Sequence, residues 1–113
     1  MEIAPLLQPH IEAIRALCRE FGVARLEVFG SVQTDEFDPA TSDIDFLVEY
    51  PKGYDFGPWV GRLFEFEEAL STALGRPVDV VMTSALQNVW FRAEAAKTRM
   101  VIFDGGFSIA EVA

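Results

Sequence analysis

Positive charge, sulfur and histidine are all scarce in this chain. Nine Lys and Arg stand against eighteen Asp and Glu, for a net charge of −9. Holding a nucleic-acid backbone takes clustered Lys and Arg, so direct nucleic-acid binding is not expected. An acidic surface suits a basic protein partner or plain solubility. The single cysteine, Cys18, excludes an internal disulfide and fits a reducing, cytoplasmic compartment. The single histidine, His10, falls early in the first predicted helix, where a surface or capping role outweighs catalysis. No apolar run reaches the roughly 20 residues that span a bilayer, so no membrane association is expected. The first residues lack a basic segment followed by an apolar one, so no secretory signal is expected. With no repeat, low-complexity tract or linker, residues 1–113 read as one domain, its core about 9–103 and its tail 104–113.

What is present is apolar and periodic. Half of the 113 residues are hydrophobic, enough for one core and no more. Ile11, Ile14, Leu17, Cys18 and Phe21 recur at helical spacing, with Pro9 at the start and Gly22 as the stop. Strands are expected at Arg25–Phe29, Ile44–Glu49 and Val78–Met82. The loop Gln33–Ser42 carries the turn residues Asp38-Pro39, and Ser42 reads as a turn or capping residue. Tyr50 to Pro58 reads as a loop whose aromatics and glycines line a nucleotide pocket. A long helix follows, with Trp59, Val60, Leu63, Phe64, Leu70, Ala73 and Leu74 as its apolar stripe and Gly75 as its end. A further helix over about Ala85–Lys97 carries Val89, Trp90, Ala93 and Ala96. Arg92, Lys97 and Arg99, in or after it, read as a solvated face. Val101–Phe103 reads as a last short strand. Helices between short strands predict an α/β (α+β) domain in two layers, with a small mixed sheet packed by helices.

Against that background three acids stand out. Asp43 and Asp45 sit two residues apart at the head of an apolar strand, and Asp79 lies inside another, Pro77-Val78-Asp79-Val80-Val81. Residues i and i+2 share a strand face, so Asp43 and Asp45 point the same way, roughly 7 Å apart along it. Like carboxylates so placed repel each other unless a cation offsets them. Mg²⁺ takes oxygen ligands and is usually held by one or two carboxylates plus substrate phosphates. Asp43 and Asp45 are therefore the candidate metal ligands, and Asp79 completes the site or takes a proton from an acceptor hydroxyl. Asp79 alone also admits a reading as a strand-edge acid paired with Arg76. Upstream, Gly30-Ser31 closes the strand Leu26-Glu27-Val28-Phe29. Glycine permits φ > 0 and close approach of a phosphate, which the Ser31 hydroxyl and the following amides can hold.

Gly-Ser, a loop, Asp-x-Asp and a later strand acid together resemble the minimal nucleotidyltransferase group of the DNA polymerase β-like superfamily. The resemblance runs from about Pro9 to Phe103. It implies the nucleotidyltransferase fold, two Mg²⁺ ions, and transfer of a nucleoside monophosphate, AMP from ATP, to a hydroxyl. By motif, Gly30 and Ser31 become the phosphate-binding pair, Asp43 and Asp45 the metal ligands, and Asp79 the third acid. Small members of the group are often antitoxins that adenylylate a tyrosine of a HEPN ribonuclease toxin, which makes such a toxin the expected partner. Val32–Phe37 occupies the place where many relatives carry Ala-Arg-Gly, which favours as the alternative a non-catalytic antitoxin that acts by occlusion. An antibiotic-modifying nucleotidyltransferase ranks lower, because it normally needs a second substrate domain.

Overall fold

The structure is a computed structural model, and it describes residues 2–51 and 60–105. Four strands form one sheet: β1 (Arg25–Phe29), β2 (Ile44–Glu49), β3 (Val78–Met82) and β4 (Met100–Asp104). Their spatial order is β3-β2-β1-β4. β1 runs antiparallel to both β2 and β4, whereas β2 and β3 are parallel. A parallel pair needs a crossover, and the helix α2 (Val60–Leu74) supplies it. The mixed sheet and its helices therefore match the expected fold class. The first three strands keep their predicted bounds.

One face of the sheet carries the main core. Leu26 and Val28 from β1, Ile44, Phe46 and Val48 from β2, and Val78 and Val80 from β3 cluster there with Ile14 and Cys18 of α1 (Ile11–Glu20) and Phe66 and Leu70 of α2. Phe21 and Phe66 meet with ring centroids 5.4 Å apart. The alternation that buries Ile44 and Phe46 turns Asp45 to the opposite face. That face has a smaller cluster of its own: Phe29, Leu47 and Ala95, with Val81, Leu86 and Phe91 against it. The short helix α3 (Val89–Ala96) lies over this cluster and leaves the acidic end of the sheet uncovered by it.

Several expectations are corrected. Residues 2–8 lie outside the predicted core, yet Ala4 and Leu7 are buried in it. On α2 the buried aromatic is Phe66, and Phe64 is exposed. Trp59, Tyr54 and the loop and tail stretches 52–59 and 106–113 lie outside the described residues. Tyr50 is buried in the core cluster, so its ring is no stacking platform for a base. The last helix is shorter than predicted: a 3-10 turn covers Thr83–Gln87, and Asn88 caps α3 by accepting from the Phe91 N–H at 3.0 Å. Phe91 and Ala95 face inward, while Val89, Trp90, Ala93 and Ala96 are exposed. The last strand extends through Asp104, and the Gly105 N–H donates to the Ala24 carbonyl, so neither residue belongs to a tail.

Trp90 is 84% exposed. Replacing it with Ser is expected to change unfolding free energy by less than about 0.5 kcal/mol, the range of surface substitutions. Urea denaturation checks this, and a loss several times larger would mean the indole packs on something. Among the described residues, no helix is long and apolar enough to cross a membrane.

Candidate active site

The sheet register places the acids. Asp45 stands directly opposite Phe29 across the antiparallel pair and directly opposite Asp79 across the parallel one. Asp43 precedes β2, and the neighbouring Ile44 N–H donates to the Pro77 carbonyl at 3.2 Å, which ties the starts of β2 and β3 together. The loop before Asp43 is built by Asp38. Its Oδ1 accepts from the Ala40 N–H at 2.9 Å, its N–H donates to Ser42 Oγ at 3.1 Å, and its carbonyl accepts from the Ser42 N–H at 2.8 Å. The Ala40 amide and the Thr41 hydroxyl hold the Asp38 carboxyl below its usual range. Ser42 is a turn residue, as expected.

Gly30 follows β1 with φ 84° and ψ −157°. This backbone region is essentially reserved for glycine. There is a second requirement for it: a Cβ on Gly30 would collide with Asp45 Oδ2 and lie 3.3 Å from Asp45 Cγ. The Gly-Ser turn and the central carboxylate are thus packed against one another. Sequence spacing puts Gly30 and Asp45 in separate motifs, and the β1–β2 pairing makes them one site.

Asp45 is half-buried and Asp43 and Asp79 are exposed. Burial, then the charge of Asp79, then that of Asp43 push the Asp45 carboxyl up to about 6. All three acids therefore share one field. Among the described residues, no three His, Cys, Asp or Glu side chains are gathered closely enough to hold a metal ion on their own. The set is open, with Asp45 at its centre. That donor set fits Mg²⁺, which keeps several waters and needs only one or two protein carboxylates. The alternative reading of Asp79 fails, because the Arg76 guanidinium lies over the Phe37 ring at 5.6 Å and its Nη1 donates to the Pro39 carbonyl at 3.4 Å.

Residues far away in sequence hold the Gly-Ser turn. The Gly30 N–H donates to Thr98 Oγ1 at 2.8 Å. Gln33 Nε2 donates to the carbonyls of Thr98 at 3.3 Å and Glu2 at 3.1 Å, and its Oε1 accepts from the Ala4 N–H at 2.7 Å. Thr34 Oγ1 donates to the Ser31 carbonyl at 2.8 Å. The stretch after Ser31, without its Ala-Arg-Gly, therefore braces the turn. Next to Thr98, Arg99 forks onto Glu27, Nε to Oε1 at 2.9 Å and Nη2 to Oε2 at 2.7 Å. Glu27 is 3% exposed, and its hydrogen bonds raise the Arg99 pKa above its usual value. Arg99 is therefore an ion-pair partner inside the fold rather than part of a solvated face. None of these residues carries a local motif. The one available signal was a charged residue, Glu27, in the middle of an apolar strand, which demands a partner.

Comparison with known proteins finds relatives by sequence and by fold. Protein adenylyltransferase MntA of Thermococcus cleftensis is 36% identical over 87 residues, covering 77% of this chain and 80% of that protein. A chain from the crystal structure of a toxin-antitoxin with AMP-PNP superposes with a TM-score of 0.65 at 20% identity, covering 84% of this chain and 73% of that one. A chain from the complex of a tri-AMPylated Shewanella oneidensis HEPN toxin with its MNT antitoxin gives 0.60 at 18% identity, covering 93% and 85%. At such identities these two show a shared fold. The nucleotidyltransferase domain family matches residues 10–104, and with most of its length so covered the chain belongs to that family.

Proposed function

We propose that this chain transfers AMP from ATP to a hydroxyl of a partner protein, and that the partner is a HEPN-type toxin. The observation that carries the reading is the packing of the Gly30-Ser31 turn against Asp45, itself opposite Asp79. A relative named a protein adenylyltransferase and a fold shared with the AMPylated HEPN toxin complex support the choice of acceptor.

The roles follow from position. Gly30 brings backbone close to the phosphates, and the Ser31 hydroxyl with the following amides holds phosphate oxygens. Asp43 and Asp45 would hold Mg²⁺, with Asp79 completing the set. When bound, the ions supply charge neutralisation at the attacking and leaving oxygens. The acceptor hydroxyl oxygen bonds to the α-phosphorus as the bond from that phosphorus to the α,β-bridging oxygen breaks. Pyrophosphate leaves with the electron pair, and the hydroxyl proton passes to the Asp79 carboxylate. Positioning and electrostatics carry most of the rate, as in phosphoryl transfer generally.

The test is intact mass spectrometry of a co-expressed HEPN-type partner after incubation with this chain, ATP and Mg²⁺. The expected result is mass gained in whole AMP units, and no gain with the Asp43→Asn, Asp45→Asn double variant. A tight complex without any mass gain would replace catalysis by occlusion.

A further inference from the structure

We propose that Thr98 is the positioning residue for the nucleotide-binding turn, holding Gly30-Ser31 in the shape that accepts the triphosphate. This inference rests on the nucleotidyltransferase reading and adds a residue that neither the motif nor the comparisons assign.

Gly30 is the point where β1 ends and the chain turns sharply under Asp45, and its amide has no ladder partner beyond the strand. The acceptor it finds is a side chain 68 residues away, Thr98 Oγ1 at 2.8 Å. A hydroxyl offers two lone pairs and one proton. The bond from Gly30 uses one lone pair and fixes where the next residues begin. Thr98 is itself fixed from two directions. Gln33 Nε2, two residues past Ser31, donates to its carbonyl at 3.3 Å. Its neighbour Arg99 is locked by the bidentate pair to buried Glu27 on β1. The junction between α3 and β4 is therefore bolted to β1 at Glu27 and to the turn that follows it at Gly30. Rigid support of this kind is what a binding turn needs, because a loosened turn loses affinity before it loses fold.

A purely structural threonine would contribute to stability and leave binding alone. The two roles separate in a set of variants read by calorimetric titration with Mg·ATP and by thermal denaturation. Thr98→Val keeps the shape and removes the acceptor, and Thr98→Ser keeps the hydroxyl. Cys18→Ala, in the core behind the sheet, serves as a control that destabilises without touching the turn. The expected result is that Thr98→Val binds Mg·ATP about tenfold more weakly, equivalent to about 1.4 kcal/mol. Thr98→Ser should stay within about twofold of the parent, since it retains the hydrogen bond. Cys18→Ala should lower the melting temperature at unchanged affinity. Equal affinity of Thr98→Val and the parent overturns the inference, as does equal weakening of all three variants. A parent chain that binds no Mg·ATP overturns the nucleotidyltransferase reading instead, so the two failures are told apart. Should Thr98→Val not fold, Thr98→Ala decides in its place, since it also removes the acceptor of the Gly30 N–H and adds no methyl group against it: a loss of about tenfold in affinity restored in Thr98→Ser supports the inference, and parent-like affinity refutes it.

Discussion

Asp45→Asn is expected to make the metal-free chain more stable and to leave it without transferase activity. The gain in stability follows from the folded-state pKa of about 6, against an ordinary 3.8. Between those values the folded chain holds a proton that the unfolded chain has lost. Stability therefore falls as pH rises from about 4 to about 6, and at neutral pH the full deficit is present. Asn removes the charge that burial and the neighbouring Asp79 and Asp43 disfavour. The gain is about 1.5 kcal/mol, discounted from the full linkage value because the side chain is partly exposed. Urea titrations in EDTA at about pH 4 and about pH 7.5 check it: the variant should lead at the higher pH and nearly converge on the parent at the lower, where the folded and unfolded carboxyls are both largely protonated. The loss of activity has the opposite origin. Asp45 sits at the centre of the acidic set, and in the role proposed for it, as a ligand of Mg²⁺, its charge would contribute several kcal/mol of transition-state stabilisation, so neutralising it is expected to lower the rate about a thousandfold or more. Mg·ATP should raise the melting temperature of the parent and not of the variant, because only the parent is expected to have the affinity that linkage converts into stability. A variant that is no more stable, or one that still transfers AMP, contradicts the central place given to Asp45.

Gly30→Ala should fail twice over. Its φ of 84° with ψ −157° is a conformation that costs a side-chain-bearing residue about 1–3 kcal/mol. The added Cβ would also run into the Asp45 carboxylate, which would have to rotate away from the turn and so leave its place between Asp43 and Asp79. Together these should lower unfolding free energy by about 3 kcal/mol or more, a large fraction of a small domain's total. Mg·ATP binding should vanish even where the fold survives at low temperature. Gly22 makes the useful comparison, since it also has positive φ but meets nothing within 4 Å of its would-be Cβ. Gly22→Ala should cost only the backbone term and keep nucleotide binding. Equal behaviour of the two alanine variants would mean that contact with Asp45 contributes nothing.

The strands were legible in the sequence because two periodicities coincide with hard stops. Leu26 and Val28, Ile44, Phe46 and Val48, and Val78 and Val80 recur two residues apart in short apolar runs, and glycine, serine or proline brackets each run. The acids were legible for the same reason, since a two-residue repeat sends Asp43 and Asp45 to one face. The last helix was harder. Its eight residues include three alanines, so neither face is strongly marked, and Trp90 draws attention away from Phe91 and Ala95, which do the packing. Asn88 was the missed stop signal before it. The support of the Gly-Ser turn was not legible at all. Thr98, Gln33 and Arg99 act through a few side-chain bonds to partners 29 to 72 residues away, and such bonds leave no periodic trace. Only the unexplained charge of Glu27 pointed toward them.

Cys18 lies wholly inside the core, and burial pushes its thiol up to about 12. The thiolate is the nucleophile that attacks an alkylating reagent, so the folded chain should be inert to alkylation at pH 8. Because the sequence has no other cysteine, each labelled molecule marks one opening of the core. The labelling rate then measures the population of the open state, without a dye, a tag or an engineered probe. Titrated with Mg·ATP, the same rate should slow in proportion to occupancy, so that a buried sulfur on one face of the sheet reports nucleotide held on the other.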